Sequence, residues 1–175
     1  MNRISATPQH NIHSILIIKE SNLVFEEYFE GEKFKLGKYT GEYGFTRDDL
    51  HTLCSATKSF ASALTGIAID KGYIASADLK VFDFFPENSE HIDPNDFSGN
   101  FTWSDGYGFQ WWQKDYTSSR KAYHSYFASG WGGQLIIVIP EIETVIVFTG
   151  GNYFTDEKIS CYEIVEEYII PALQK

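Results

Sequence analysis

The chain has 175 residues, of which 43% are hydrophobic and 17% aromatic, enough for one domain with a real core. Its 14 Lys and Arg against 24 Asp and Glu leave a formal charge of −10, which argues against nucleic acid or an anionic membrane as a partner held by general electrostatics. No apolar run approaches the roughly 18–20 residues of a membrane span.

The start, Met1-Asn2-Arg3-Ile4-Ser5, lacks a long apolar core, so the expected location is cytoplasmic, or periplasmic or secreted if a leader has been removed. Cys54 and Cys161 are too few for a disulfide framework and are expected as two free thiols.

In chain order, His13–Lys19 and Leu23–Phe29 are apolar runs joined by Glu20-Ser21-Asn22, the pattern of a β-hairpin. Gly31 to Asp49 is glycine-rich and charged and is expected to be a loop. Ser55 to Lys71 is the strongest helix, with Gly72 placed to close it. Small and apolar residues on nearly all its sides predict a buried helix. Lys80–Phe85 forms a short piece ending at Pro86, and Glu87 to Gly99 has the polar, acidic composition of a linker. Tyr107–Gln113, Lys121–Ala128, Gln134–Ile139 and Thr144–Gly150 then predict an antiparallel meander, with a turn at Pro140–Glu143. Asp156–Ile170 closes the chain as an amphipathic helix. The fold class implied is α+β, an antiparallel β-sheet flanked by helices.

The chemistry concentrates at Ser55-Ala56-Thr57-Lys58. Residues three apart share a helix face, so the Ser55 hydroxyl and the Lys58 ammonium are expected side by side. A helix N-terminus has unpaired N–H groups that favour developing negative charge, and a lysine pressed against an apolar interior loses its proton more readily. Cys54 is expected to pack beneath the turn that presents Ser55. A second Ser-x-x-Lys, Ser118-Ser119-Arg120-Lys121, has no apolar helix behind it and is expected in a solvated loop. His10, His13, His51, His91 and His124 show no spacing with Cys or carboxylates that argues for a metal, and no cofactor is implied. The pair His10/His13 is expected to face solvent.

Several blocks together resemble the serine β-lactamase and penicillin-binding-protein superfamily, most closely its class C-like branch of β-lactamase-related hydrolases and carboxylesterases. They are ILIIKESNLVFEEYFEG, LCSATKSFASALTGIAIDKGYI, FDFFPE, GYGFQWW and ASGWGGQLIIVIPEIETVIVFTGGNY, which cover most of the chain. The resemblance implies that Ser55 is an acylated nucleophile and Lys58 its partner in proton transfer. It further implies that the Ser55 and Trp131 N–H groups form an oxyanion hole, with Gly130, Gly132 and Gly133 letting the backbone approach substrate. On the residues alone, the same glycines better suit a bulge or tight entry into the Gln134–Ile139 strand.

The family's helical half, with its Tyr-x-Asn or Ser-x-Asn motif, has no counterpart here. Only Glu87 to Asp105 bridges the flanking blocks, and Ser98-Gly99-Asn100 matches the letters without the scaffold. The implied organisation is a single truncated domain over residues 1–175, in which 87–105 replaces the helical region of a β-lactamase/transpeptidase-like fold. General-base work then falls to Lys58 or to a substitute such as Tyr123, His124 or Tyr126, and His124 and Tyr126 are expected to line the substrate site.

Two functions follow. The first is a serine hydrolase acting through an acyl-enzyme on a small-molecule ester, amide or β-lactam. The second is a catalytically weak or inactive member that binds a ligand or self-associates. The cluster Trp103, Tyr107, Phe109, Trp111 and Trp112 suits that second function, because loss of a helical half would expose an apolar face for a homo-oligomer unless Glu87–Asp105 rearranges to cover it.

Overall fold

The computed structural model describes residues 11–35, 38–79, 105–154 and 160–174. The alternating and near-continuous apolar runs form strands where they are expected. β1 (Ile12–Lys19) and β2 (Asn22–Tyr28) make the opening hairpin, turned by Glu20 and Ser21 in the left-handed region (φ 50° and 64°). β7 (Lys121–Gly130), β8 (Gln134–Ile139) and β9 (Thr144–Gly150) form the expected meander, with the 3-10 turn Pro140–Ile142 between the last two.

The hairpin joins the meander by pairing β1 with β9, Ile17 opposite Ile146 and Ile15 opposite Phe148. With β5 (Gly106–Gly108) and β6 (Trp111–Ser118) added at its edge, the result is a seven-stranded antiparallel sheet in the order β2-β1-β9-β8-β7-β6-β5. Central strands in that order are fully buried on one face and half-buried on the other, which explains why β1 and β8 read as apolar runs.

Two expectations change. Gly31 to Asp49 contains a second, two-stranded sheet of β3 (Glu30–Lys35) and β4 (Lys38–Gly44). Both strands are largely solvated, so no apolar period marks them, and a register shift at Lys33/Phe34 further masks the alternation. The run Tyr107–Gln113 is split into β5 (Gly106–Gly108) and β6 (Trp111–Ser118) by a tight turn at Phe109 and Gln110, whose φ angles are 51° and 65°. Neither residue is a usual left-handed type, so the turn had no compositional signal. Lys80–Phe85 and Glu87–Gly99 lie outside the described residues.

Helices occupy both faces of the large sheet. α1 (Ala56–Asp70) follows the β4 segment. α2 is a C-terminal run of α-helical Cys161–Ile164, a wider π-helical turn Val165–Ile169 and α-helical Ile170–Leu173. The widened turn ends two residues before Pro171, which has no N–H for the regular ladder and whose ring crowds the carbonyl one turn back.

Neighbouring strand residues point to opposite faces. Ser129 hydrogen-bonds Tyr162 of α2, while Gly130 abuts Leu53 and Ala56 at the head of α1. The main core lies on the α2 side, where Ile15, Phe127, Ile137, Ile146, Phe148, Val165 and Ile170 are almost entirely buried. This is a mixed architecture dominated by antiparallel sheet, consistent with the α+β class. Among the described residues no helix is long and apolar enough to cross a membrane.

Candidate functional site

The backbone reverses sharply just before α1. Cys54 takes a left-handed φ of 50°, and Ala56 and Thr57 donate their N–H groups back to the Leu53 and Cys54 carbonyls at 3.1 and 3.2 Å. This tight turn puts Ser55 at the N-cap. Its hydroxyl caps no backbone N–H, unlike most N-cap serines, and instead accepts from Lys58 Nζ across 2.9 Å. The three-residue spacing thus brings together the two side chains it was expected to. Cys54 is half-buried within the turn itself, and both thiols are free. Cys161 lies in the α2 core, where burial pushes its thiol up to about 12.

Gly130 holds the turn against the sheet. A Cβ built there would lie 2.1 Å from the Leu53 carbonyl oxygen and 3.1 Å from the Ala56 nitrogen, so only glycine permits this approach. Ser59, one turn into α1, is buried and donates its hydroxyl to the Gln110 carbonyl at 2.6 Å, fastening the helix to the β5–β6 turn.

The next residues, Trp131 to Gly133, form the short connection from β7 to β8. Gly132 and Gly133 are left-handed (φ 90° and 86°), the tight strand entry that the glycines also allowed. The Gly132 carbonyl accepts the Asn152 N–H at 3.0 Å, and a Cβ on Gly132 would strike the Tyr153 ring at 2.4 Å. Buried Gln134 completes the frame by donating Nε2 to the Gly150 carbonyl at 2.6 Å. Trp131 projects outward and remains 59% exposed, edge-on to Tyr153 and Phe154. Burial, and then the Cys54 thiol, push the Tyr153 phenol above its ordinary range; its ring lies over Gly132, two residues past the Gly130 that abuts the nucleophile turn. Among the described residues, neither the Ser55 nor the Trp131 N–H donates to a backbone carbonyl.

Other expected residues lie elsewhere. His124 is six residues from Gly130 along an extended strand, about 20 Å away. It is exposed and bonded through Nδ1 to Asp115 at 2.6 Å, and that hydrogen bond raises its pKa. Tyr126 is about 13 Å from Gly130 by the same rise, with its ring edge against Trp111. Tyr123 points to the α2 face, where its hydroxyl accepts from Gln174 Nε2. Ser118 to Lys121 is the tight β6–β7 turn, at the opposite end of β7 from the Gly130 that abuts α1. Ser98-Gly99-Asn100, Trp103 and His91 lie outside the described residues, as does His10.

Three local expectations are corrected. α1 is not a buried helix: only Ala56 and Ser59 are buried on it, because its first turn alone reaches the sheet end. For the same reason Lys58 is exposed, without the apolar surroundings expected around it. His13 does not face solvent: it is buried, stacked on Phe45 at 3.6 Å between ring centroids, and its Nδ1 lies 3.0 Å from His51 Nε2. Among the described residues no group of three or more His, Cys, Asp or Glu side chains is placed to hold a metal.

The sequence had not singled out Ser59, Tyr153 or Phe154. A usable signal existed for the last two: in a β7-β8-β9 meander, the chain leaving β9 must return beside the β7–β8 connection. Comparison of the chain with protein-family models and with curated proteins finds no match.

Proposed function

We propose that the protein is a serine hydrolase that acylates Ser55 with a small ester or amide. The observation that carries this is the 2.9 Å contact between Ser55 Oγ and Lys58 Nζ at a helix start where Ser55 caps nothing. With Lys58 neutral, the same contact lets the hydroxyl pass its proton to Nζ while Oγ bonds to the substrate carbonyl carbon. The Ser55 and Trp131 N–H groups would receive the carbonyl oxygen as it becomes negative. Collapse of the intermediate breaks the bond to the alcohol or amine, which takes the proton from Lys58. Water then attacks the acyl carbon, giving the carboxylic acid and restoring the Ser55 hydroxyl.

The sheet order, with α1 and α2 on opposite faces, supports the finer reading of a β-lactamase/transpeptidase-like α/β half without its helical half. Incubation with a fluorophosphonate followed by intact-mass and peptide analysis tests the nucleophile. We expect one adduct, on Ser55, absent in Ser55→Ala and slowed at least about a hundredfold in Lys58→Ala, within the range for loss of a general base. Equal labelling of either variant overturns the mechanism.

One observation favours the second reading, a self-associating or ligand-binding module. Phe60, Leu64 and Ile67 lie on α1 at i, i+4 and i+7 and are all exposed. Tyr107 and Phe109 of the predicted aromatic cluster are exposed as well.

A further inference from the structure

The rings beside the nucleophile turn form a continuous aromatic wall. Trp131 meets Tyr153 at 5.1 Å and Phe154 at 5.5 Å, and Phe34 of β3 meets the same two rings at 5.2 and 5.5 Å. Three separate chain segments therefore converge on one spot. The convergence requires a bare backbone at Gly132, over which the Tyr153 ring lies. Yet the wall is not closed: Trp131 is 59% and Phe154 64% exposed, so two large rings leave apolar surface uncovered close to the point where Gly130 abuts the turn that carries Ser55.

We propose that Trp131, Phe154 and Phe34 form the subsite for the acyl group of the substrate, and that this group is apolar and of medium chain length or aryl-substituted. The inference rests on Ser55 being the nucleophile. Its direction follows from the two sides of the turn. The aromatic wall follows directly on Gly130, whose backbone abuts the turn at Leu53 and Ala56, whereas the Lys58 ammonium lies one helical turn beyond Ser55. The leaving group must take its proton from Lys58 and so departs on the helix side. The acyl chain, fixed by its carbonyl oxygen near the Trp131 N–H, is left facing the Trp131 ring. Nothing charged or hydrogen-bonding is needed from such a group, which matches a wall made only of rings. Each methylene taken out of water is worth about fourfold in binding, so chain length is the natural readout.

The test uses the full chain and p-nitrophenyl esters from acetate to octanoate, with phenylacetate as the aryl member. Wild-type kcat/KM should rise by about tenfold or more from acetate to octanoate. Phe154→Ala should lower the octanoate-to-acetate ratio by about fivefold or more, and Phe154→Leu should restore most of it. The exposure of Phe154 makes failure to fold an unsuitable explanation for loss, and circular dichroism checks it. Binding is read separately from turnover in Ser55→Ala, by the tryptophan fluorescence change on titrating octanoate, with Trp131→Phe identifying the reporting ring. A flat or falling chain-length profile in protein whose Ser55 accepts fluorophosphonate overturns the subsite and leaves the nucleophile standing. Absence of labelling, together with octanoate binding that Phe154→Ala weakens, overturns the hydrolase and leaves an apolar carboxylate site. Absence of both a chain-length preference and octanoate binding overturns the subsite outright.

Discussion

The two helices meet the sheet in opposite ways. α2 lays Cys161, Ile164, Val165, Ile169 and Ile170 into the core against Tyr116, Phe127 and Ile137. α1 touches the sheet end only through its first turn, by Gly130 against Leu53 and Ala56 and by the Ser59 hydroxyl on Gln110, and then runs outward with Phe60, Leu64 and Ile67 exposed. One helix is held by area and the other by a few close contacts. Stability and chemistry are thereby separated: the α2 face supplies most of the burial, while α1 supplies the reactive pair and depends on the positioning of a single turn.

The largest expected effect is on the α2 side. Phe127 is fully buried between the sheet and Tyr162, so Phe127→Ala should cost about 3–5 kcal/mol in chemical denaturation, a large fraction of a small domain's total. Gly130→Ala should cost less, about 1–3 kcal/mol, because the chain can relieve the 2.1 Å clash by moving the α1 turn away from the sheet. That movement carries Ser55 with it. Labelling of Ser55 should therefore fall steeply in Gly130→Ala while the sheet still folds, and fall in Phe127→Ala only as far as the whole fold is lost. Equal loss of both readouts in both variants would mean that the two sides are not separable.

This division also explains what could be read without coordinates. β1, β8, β9 and the body of β7 show themselves because burial on at least one face imposes an apolar pattern, whereas β2 is legible from its apolar composition, although Leu23 and Val24 are exposed. β3 and β4 do not, because both faces of that hairpin are largely wet. Ser55 and Lys58 are legible because their contact is local, set by helical spacing alone. The Gly130 contact, the Ser59 bond and the aromatic wall depend on long-range strand order, and no single stretch of sequence carries it. The apolar residues of α1 imply a partner surface, and none covers them among the described residues, so composition alone overstates the helix's burial. The burial of His13 is hidden for the converse reason: nothing near it in sequence announces Phe45 or His51.

The buried His13–His51 contact sharpens the comparison through pH. His51 precedes Ser55 by four residues and packs against Phe45, near Lys33 and Asp49. Burial, its largest influence, lowers its pKa below the ordinary 6.5, with Lys33 acting the same way and Asp49 opposing. The folded protein therefore holds this proton less tightly than the unfolded chain. The resulting stability is present above pH 6.5 and is lost as pH falls through the lowered folded value. Acid should loosen the segment leading into α1 before it affects the α2 core, read as amide exchange rising near residues 46–55 ahead of that in β8. His51→Gln should reduce this acid response. A uniform rise across the sheet would contradict the division.

The smallest effect tests the exposed side of α1. Leu64 is 66% exposed, so Leu64→Gln should change stability by no more than about 0.5 kcal/mol and leave Ser55 labelling intact. Phe60, Leu64 and Ile67 form a stripe of the kind that partner helices bury. If a second copy covers that stripe in solution, light scattering will show an oligomer that Leu64→Gln dissociates, and the midpoint of unfolding will depend on protein concentration. α1 would then be held by area after all, contributed by another chain, and its first turn would no longer be its sole attachment. A concentration-independent midpoint, with a monomer in both proteins, instead leaves the reactive pair on a helix anchored at one end, where Gly130 and Ser59 alone decide how well Ser55 is aimed.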